Sequence, residues 1–420
     1  MKVKHLILII CLVVGFNLSC KKNANPNPGN SSNGASECTS LPTLVWGNYF
    51  SIQAIPSQAI APIKNDAAGN IYIVGIYNGT TTFGNFSLAG SGQFLCKIDP
   101  TGRFIYSRKI SINGNPSPTN FFVEVDLSQN VFIGFPSIDP VNNGFVFNLN
   151  KYDANGNFLW SKQINTEMSQ KTSSLLKVDK TGNIYIGGYY ANGASPVDFD
   201  PGEGVVNLPG GTGFLEVLDN NGNFVSVKKV DADITTDFQI SPTGSIYITQ
   251  QTEYFFNVEK INDDGTSGGT TKLPNEKDDV LYIDFQENLY LSNFETIKKY
   301  DHNANLLLQT KSYFFSYLRF DQSGNIYLSG GFSGANVQFD QNHIITAVGN
   351  SDGYLEKLDP QGKIVWVSAV MGTKGTTYPG SSIMTDFGIE DSGNIYFVGP
   401  IFNNATNNSD LCIAQYQQCQ

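Results

Sequence analysis

The sequence predicts an all-β protein built as seven four-stranded antiparallel sheets arranged in a ring. Three observations predict it. A phrase of the form D-x-x-G-N-I-Y-I-x-G recurs seven times. A second turn-centred phrase, ending in an aromatic or aliphatic strand, follows most copies. The last copy lacks its final strand, and a matching strand stands alone near the front of the chain. Composition agrees: 42 Gly, 29 Phe and 20 Tyr in 420 residues favour short strands joined by glycine turns over helices. The formal net charge is −11. That balance argues against nucleic acid as a partner, because phosphates call for a basic surface. It argues equally against electrostatic docking on anionic lipid.

The front of the chain reads as targeting sequence. Lys2 and Lys4 precede the apolar run Leu6–Phe16, which is too short to span a bilayer. "NLSC" then ends at Cys20, and a small residue followed by cysteine resembles a bacterial lipobox, with Asn17 where leucine is usual. The resemblance implies cleavage after residue 19 and a lipidated Cys20, an anchor worth about 0.8 kcal/mol per buried methylene. Loss of residues 1–19 removes two lysines and no acids, taking the charge from −11 to −13. Residues 21–37 are rich in Asn, Pro, Gly and Ser and bury too little to fold, so they read as a tether. The expected organisation is a signal peptide over 1–19, a lipidated cysteine and tether over 20–37, and the ring over 38–420.

The seven copies begin at Asp66, Asp126, Asp179, Ser241, Asp284, Asp321 and Asp391, at spacings of about 37 to 70 residues, the size range of blade repeats. Each reads as a hairpin. An alternating strand precedes the aspartate, the aspartate caps the turn, a glycine takes positive φ, and β-branched and aromatic residues resume the next strand. The fourth copy lacks the aspartate, and the second and fifth lack the glycine. A second hairpin follows, as in Lys97–Ser107, Lys151–Ser161, Val217–Val227 and Lys357–Val367, with Pro100 and Pro360 suited to a type I turn. Each unit therefore holds four strands, A to D. Seven such units are the signature of a β-propeller. The two phrases together resemble the bacterial SBBP-type propeller repeat, and NHL-type repeats more distantly.

The seventh unit ends without its strand D. "TLVW" at Thr43–Trp46 supplies the missing "IVW" of Ile364–Trp366, so the N-terminal strand is expected to join the last blade and close the ring. Aligning Trp46 with Trp366, and Tyr416 with Leu358, brings Cys38 and Cys419 into one C–D turn region. An oxidising envelope would permit a disulfide there, on the order of 3–5 kcal/mol for so long a loop. Cys96 and Cys412 fall on strand C of the first and seventh blades and read as small buried residues.

The A–B and C–D turns share one face of the ring and are short. Length variation collects in the B–C and D–A connections, so a ligand is expected on that face and its central mouth. Asp198, Asp200 and Glu203 in "VDFDPGEG" offer three hard oxygen ligands that could hold Ca²⁺, against the reading of a solvated acidic turn. Tyr189, Tyr190 and Tyr378 are the loop aromatics that could stack on a ligand, against a packing role. His302 and His343 fall in different blades, and no G-x-S-x-G, phosphate-binding loop or C-x-x-C occurs. No catalytic residues are assigned, and no cofactor is expected beyond that possible calcium. These readings favour a lipid-anchored envelope propeller, at the outer membrane, binding a protein or glycan without catalysis. The competing readings are a propeller-based polysaccharide lyase or glycoside hydrolase, and a purely structural envelope lipoprotein.

Overall fold

A computed structural model describes residues 40–54, 60–110, 115–116, 121–138, 145–164, 176–190, 198–208, 212–230, 236–251, 255–262, 266–274, 280–347, 352–370, 386–390, 392–403 and 408–418. Cys38–Gln420 forms one compact unit. It is a seven-bladed β-propeller of four-stranded antiparallel sheets. Cys20, Cys38, Cys419, Tyr378 and Val197 lie outside the described residues, as does everything before residue 40.

The strands of blade 1 are Ile60–Asn65, Ile71–Tyr77, Gly92–Ile98 and Phe104–Lys109, hydrogen-bonded in that order. Blade 2 follows with Phe122–Val125, Val131–Ile138, Phe145–Tyr152 and Phe158–Ile164. Blade 3 is Leu176–Val178, Ile184–Tyr190, Thr212–Leu218 and Phe224–Val230; blade 4 is Thr236–Ile240, Ile246–Gln251, Phe255–Ile261 and Ser267–Pro274. Blade 5 is Val280–Ile283, Leu289–Ser292, Thr296–Tyr300 and Leu306–Lys311; blade 6 is Tyr317–Phe320, Ile326–Phe332, Asp352–Leu358 and Ile364–Val370. Blade 7 is Asp386–Ile389, Asn394–Asn403 and Asn408–Gln417, and Thr43–Ala54 is its fourth strand.

The ring thus closes through the N-terminal strand, in the register the tryptophans foretold. Trp46 lies opposite Gln415 as Trp366 lies opposite Lys357. A β-bulge follows the C–D turn in all seven blades, as between Lys97 and Ile98 or Lys357 and Leu358. Such a bulge strengthens the local twist that a propeller blade needs.

The hairpin aspartate has a definite task. Asp66 Oδ1 accepts from the backbone N–H of Ala68 and of Asn70, both at 2.9 Å. Its Oδ2 accepts from Asn70 Nδ2 at 2.8 Å and Tyr72 OH at 2.9 Å. Asp179, Asp284 and Asp321 repeat the pattern with Tyr185, Tyr290 and Tyr327. A strand-C lysine stands over the same tyrosine, 5.1 Å from the ring centroid for Lys97 over Tyr72 and 5.2 Å for Lys299 over Tyr290. The tyrosine of "NIY" is therefore buried structure: its ring fills the space between blades while its hydroxyl completes the turn.

Two departures resolve here. Where the glycine is missing, Gln129 and Glu287 take the left-handed conformation themselves, at φ 64° and 63°, and the turn bonds still form. The boundaries of these blades are then plain. In the seventh copy the cap is not Asp391 but Glu390. Its N–H bonds Asn394 O at 2.9 Å, Gly393 N–H returns to Glu390 O at 2.9 Å, and its Oε2 takes Asn394 Nδ2. The cap therefore stands one residue before the aspartate that the repeat phrase suggests, and the longer side chain still takes the Asn394 amide while its Oε1 and Tyr396 OH have no hydrogen-bond partner; Asp391 itself lies outside the described residues.

The tryptophans join blades. Strand D of one blade lays a side chain on the C–D turn of the next: Trp46 over Gly102, Tyr106 over Gly156, Trp160 over Gly222, Leu308 over Gly362. A Cβ on Gly102 would come 2.7 Å from Trp46 Cδ2, so this glycine is required for contact as well as for its φ of 84°. Trp46 Nε1 donates to Pro100 O at 3.0 Å and to Gln415 Oε1. Cys96 and Cys412 are buried on strand C, as expected of small apolar residues.

Candidate functional site

Among the described residues, the B–C/D–A face carries three inserted hairpins, in blades 1, 3 and 6. They are Thr81–Phe83 with Phe86–Leu88, the Asp198–Asn207 bridge, and Val337–Gln338 with Ile344–Ile345. One phenylalanine pins each to strand C of its own blade. Phe83 lies 4.6 Å from Phe94, Phe199 4.9 Å from Phe214, and Phe339 4.8 Å from Tyr354, between ring centroids. Phe83 and Phe199 are fully buried. Rigid pinning with exposed tips is what a recognition surface needs, since less order has to be gained on binding.

Two residues beyond each pinned aromatic on strand C sits Cys96, Glu216 or Glu356, all buried. Neither oxygen of Glu216 has a hydrogen-bond partner. Burial pushes its carboxyl well above the usual range, and Asp200 and Asp198 on the insert push the same way. Glu356 receives one bond, from Ser312 Oγ, and its Oε1 has no partner. Burial raises it, the Ser312 bond lowers it, Asp340 raises it, and the result is about 7. A carboxyl poised near neutral pH can serve as a general acid. Both side chains are fully enclosed, however, so neither reaches a bound substrate in this conformation.

Around the axis, the residue two before each turn cap forms a partly charged series: Lys64, Glu124, Lys177, Gln239, Tyr282, Arg319 and Gly388. Lys64 Nζ is 2.9 Å from Glu124 Oε2, and Lys177 Nζ is 3.6 Å from Glu124 Oε1, linking blades 1, 2 and 3. Arg319 Nη2 is 2.7 Å from Asp386 Oδ1, and Asp386 Oδ2 accepts from Ile63 N–H at 3.3 Å, linking blades 6, 7 and 1. Among the described residues, the mouth is thus neither glycine-lined nor a convergence of free acids. Glu124 is held by two lysines and Asp386 by one arginine.

The sequence-predicted residues distribute as follows. Asp198 and Asp200 are half-buried rather than solvent-facing, because they hold the hairpin. Asp198 Oδ1 accepts from Asp200 N–H at 3.0 Å and Val206 N–H at 2.9 Å, and Asp200 Oδ1 from Gly202 N–H at 2.7 Å. Glu203 is exposed. Among the described residues no three His, Cys, Asp or Glu side chains stand close enough together to hold a metal ion. Tyr189 and Tyr190 lie in strand B of blade 3, where Tyr190 pairs with Thr212 at the start of the insert-bearing connection. His343 Nδ1 is 2.8 Å from Asp340 Oδ1, but that carboxylate also caps the N–H groups of Asn342 and His343, so the pair is a turn.

Sequence reasoning missed one aromatic pair on this face. Phe294, in the B–C turn of blade 5, and Phe314, in the connection to blade 6, stack at 5.7 Å and 28°. They are 36% and 53% exposed. Phe294 also has φ 71°, an unfavourable conformation for a bulky residue. The turn is held there by Phe315 N–H to Phe294 O and Ser312 N–H to Glu295 O, both 2.9 Å. The only sequence signal was a lone phenylalanine in "SNFET", where a turn residue is usual.

No protein-family model matches the chain, and no curated protein matches its sequence. Solved structures similar to it include an acylaminoacyl peptidase of Pyrococcus horikoshii, at 10% identity over 82% of this chain and 50% of that one, with a TM-score of 0.46. The polysaccharide lyase Uly1 is similar at 11% identity over 88% and 91%, TM-score 0.46. So is the WD40 domain of Neurospora crassa Pan2, at 12% identity over 89% and 95%, TM-score 0.43. The chain spans about half the length of the acylaminoacyl peptidases it matches. Such distant likeness adds nothing to the fold already read from strand pairing, and it carries no reaction to this chain.

Proposed function

We propose that this chain is a lipid-anchored propeller of the bacterial cell envelope, at the outer membrane, that binds a protein or a glycan without transforming it. The observation that carries the reading is the asymmetry of the two faces. On the turn face, carboxylates are used up in capping the ring's own hairpins. On the opposite face, three pinned hairpins and the strained, exposed Phe294–Phe314 pair present side chains the fold itself does not require. The axial acids Glu124 and Asp386 are neutralised in ion pairs, and the perturbed Glu216 and Glu356 are enclosed, which favours binding over acid–base chemistry.

The anchor rests on Cys20 and the preceding apolar run. Cys20→Ser is expected to move the protein from the membrane fraction to the soluble one. Binding is tested with the soluble unit on a polysaccharide array, following each retained glycan for chain shortening, and with Phe294→Ala/Phe314→Ala as the comparison. Retention that the double variant loses supports the reading. Chain shortening would replace it with that of a lyase or hydrolase.

A further inference from the structure

Blade 4 is the copy that begins with Ser241 in place of aspartate, yet its turn is not without a carboxylate. Glu287, from the first turn of blade 5, reaches into it. Its Oε2 accepts from Tyr247 OH at 3.0 Å and from Lys260 Nζ at 2.7 Å. Its Oε1 accepts from Thr243 Oγ1 at 2.6 Å, from Ser245 Oγ, and from Ser241 Oγ at 3.4 Å. Tyr247, Ser245 and Lys260 hold the places of Tyr72, Asn70 and Lys97, which surround Asp66 in blade 1. The carboxylate of Glu287 therefore occupies the place the missing aspartate would fill.

The neighbouring geometry shows what lets a side chain of blade 5 reach this turn. Glu287 stands at the glycine position of its own turn, three residues after Asp284. At the same position in blade 1 is Gly69, and a Cβ there would come 2.5 Å from Oε1 of Glu390, the cap of blade 7. Room for a side chain at this position is thus set by the cap before it: blade 2, after the shorter Asp66, carries Gln129 here, whose Oε1 accepts from Lys97 Nζ at 2.7 Å. Blade 5 fills that room with glutamate while keeping the left-handed backbone, φ 63°. A polar groove of about 460 Å³, lined by Thr243, Gly244, Ser245, Lys260, Ile261 and Asn262, opens the cage to solvent.

We infer that the first turn of blade 4 is a carboxylate-binding site whose resident ligand is the Glu287 side chain, and that a small external carboxylate takes its place when Glu287 is removed. The site lies on the turn face and is independent of the binding surface proposed above. The test uses the full chain carrying Glu287→Gly, with acetate and formate as probes and sodium chloride at equal ionic strength as the control. The variant, although it gains an unstrained turn residue, is expected to melt several degrees below the wild type. Acetate should restore much of that loss saturably, and chloride should not. Ser241→Asp in the same variant should restore it without acetate and abolish the acetate response. A Glu287→Gly chain that melts with the wild type overturns the inference. So does a loss that neither acetate nor Ser241→Asp repairs, and so does an acetate effect of equal size in all three proteins. If Glu287→Gly alone does not fold, recovery of folded protein by Ser241→Asp supports the inference, and failure of the double variant to fold overturns it.

Discussion

Replacing Glu356 with glutamine should flatten the pH dependence of stability above pH 4.5. The carboxyl sits enclosed on strand C of blade 6, bonded only by Ser312 Oγ, with Asp340 and Tyr354 as its titratable neighbours. Burial places it at about 7, against 4.5 for an ordinary glutamate. Because the folded value is the higher one, the native chain binds the proton more tightly than the unfolded chain. Stability from this group is then complete below pH 4.5 and is lost as pH rises toward 7. At about 1.4 kcal/mol per pH step, the loss across that window is about 3 kcal/mol. Glu216 acts in the same direction but is unchanged in the variant, so the difference between the two proteins isolates Glu356. Asp179, in the first turn of blade 3, acts oppositely and lower down. Desolvation raises Asp179, but bonds from Thr181, Asn183 and Tyr185 outweigh it, so its contribution is lost as pH falls. The assay is urea denaturation of wild type and Glu356→Gln at pH 4.5 and pH 8. The wild type should lose about 3 kcal/mol more than the variant over that interval. Parallel losses would show that Glu356 titrates alike in the folded and unfolded chains, and the argument from enclosure would fail.

Three further outcomes are expected. Trp46→Ala removes the contact with Gly102 and the bonds to Pro100 and Gln415 that close the ring, so the urea midpoint should fall by an amount equivalent to about 2–4 kcal/mol, and Trp46→Phe should cost less. Gly102→Ala should destabilise more than Gly90→Ala: both glycines have positive φ, 84° and 74°, but only the first would drive a Cβ into Trp46, whereas nothing lies within 4 Å of the second. Millimolar calcium should leave the melting temperature unchanged beyond a general salt effect, because Asp198 Oδ1 already serves two backbone N–H groups; a saturable calcium-specific rise would restore Asp198, Asp200 and Glu203 as ligands.

The ring was legible because its determinants are local and repeated. An aspartate four residues before an asparagine, with a glycine between, names its own turn, and a missing last strand names the strand that must replace it. The site was less legible for a physical reason. In a propeller the two faces of each blade pack on neighbouring blades, so alternation along strand C no longer separates inside from outside. "FLEVL" and "YLEKL" read as ordinary half-exposed strands, yet Glu216 and Glu356 are fully enclosed. The axial pairs escaped for a related reason. Lys64, Glu124 and Lys177 stand at equivalent places in three copies, but only ring closure decides that consecutive copies touch there.

Blade 4 shows how far repeat logic can be carried. Read one copy at a time, Ser241 is a defect and Glu287 a second, unrelated one, since glutamate is a poor choice for a left-handed turn position. Across the blade boundary they become one arrangement. Desolvation pushes the Glu287 carboxyl up, but bonds from Lys260, Ser245, Thr243 and Tyr247 hold it down at about 2, so the charge stays in place at any ordinary pH. The strain of the turn is offset by the donors the carboxylate satisfies, which would otherwise stand without it at the junction of two blades. What a propeller repeat specifies is therefore a set of positions to be filled, not the blade that fills them. A departure in one copy predicts where to look in the next, and this is why the turn face, for all its charge, offers an outside ligand so few unoccupied places while the opposite face keeps its aromatic pair and its hairpin tips available.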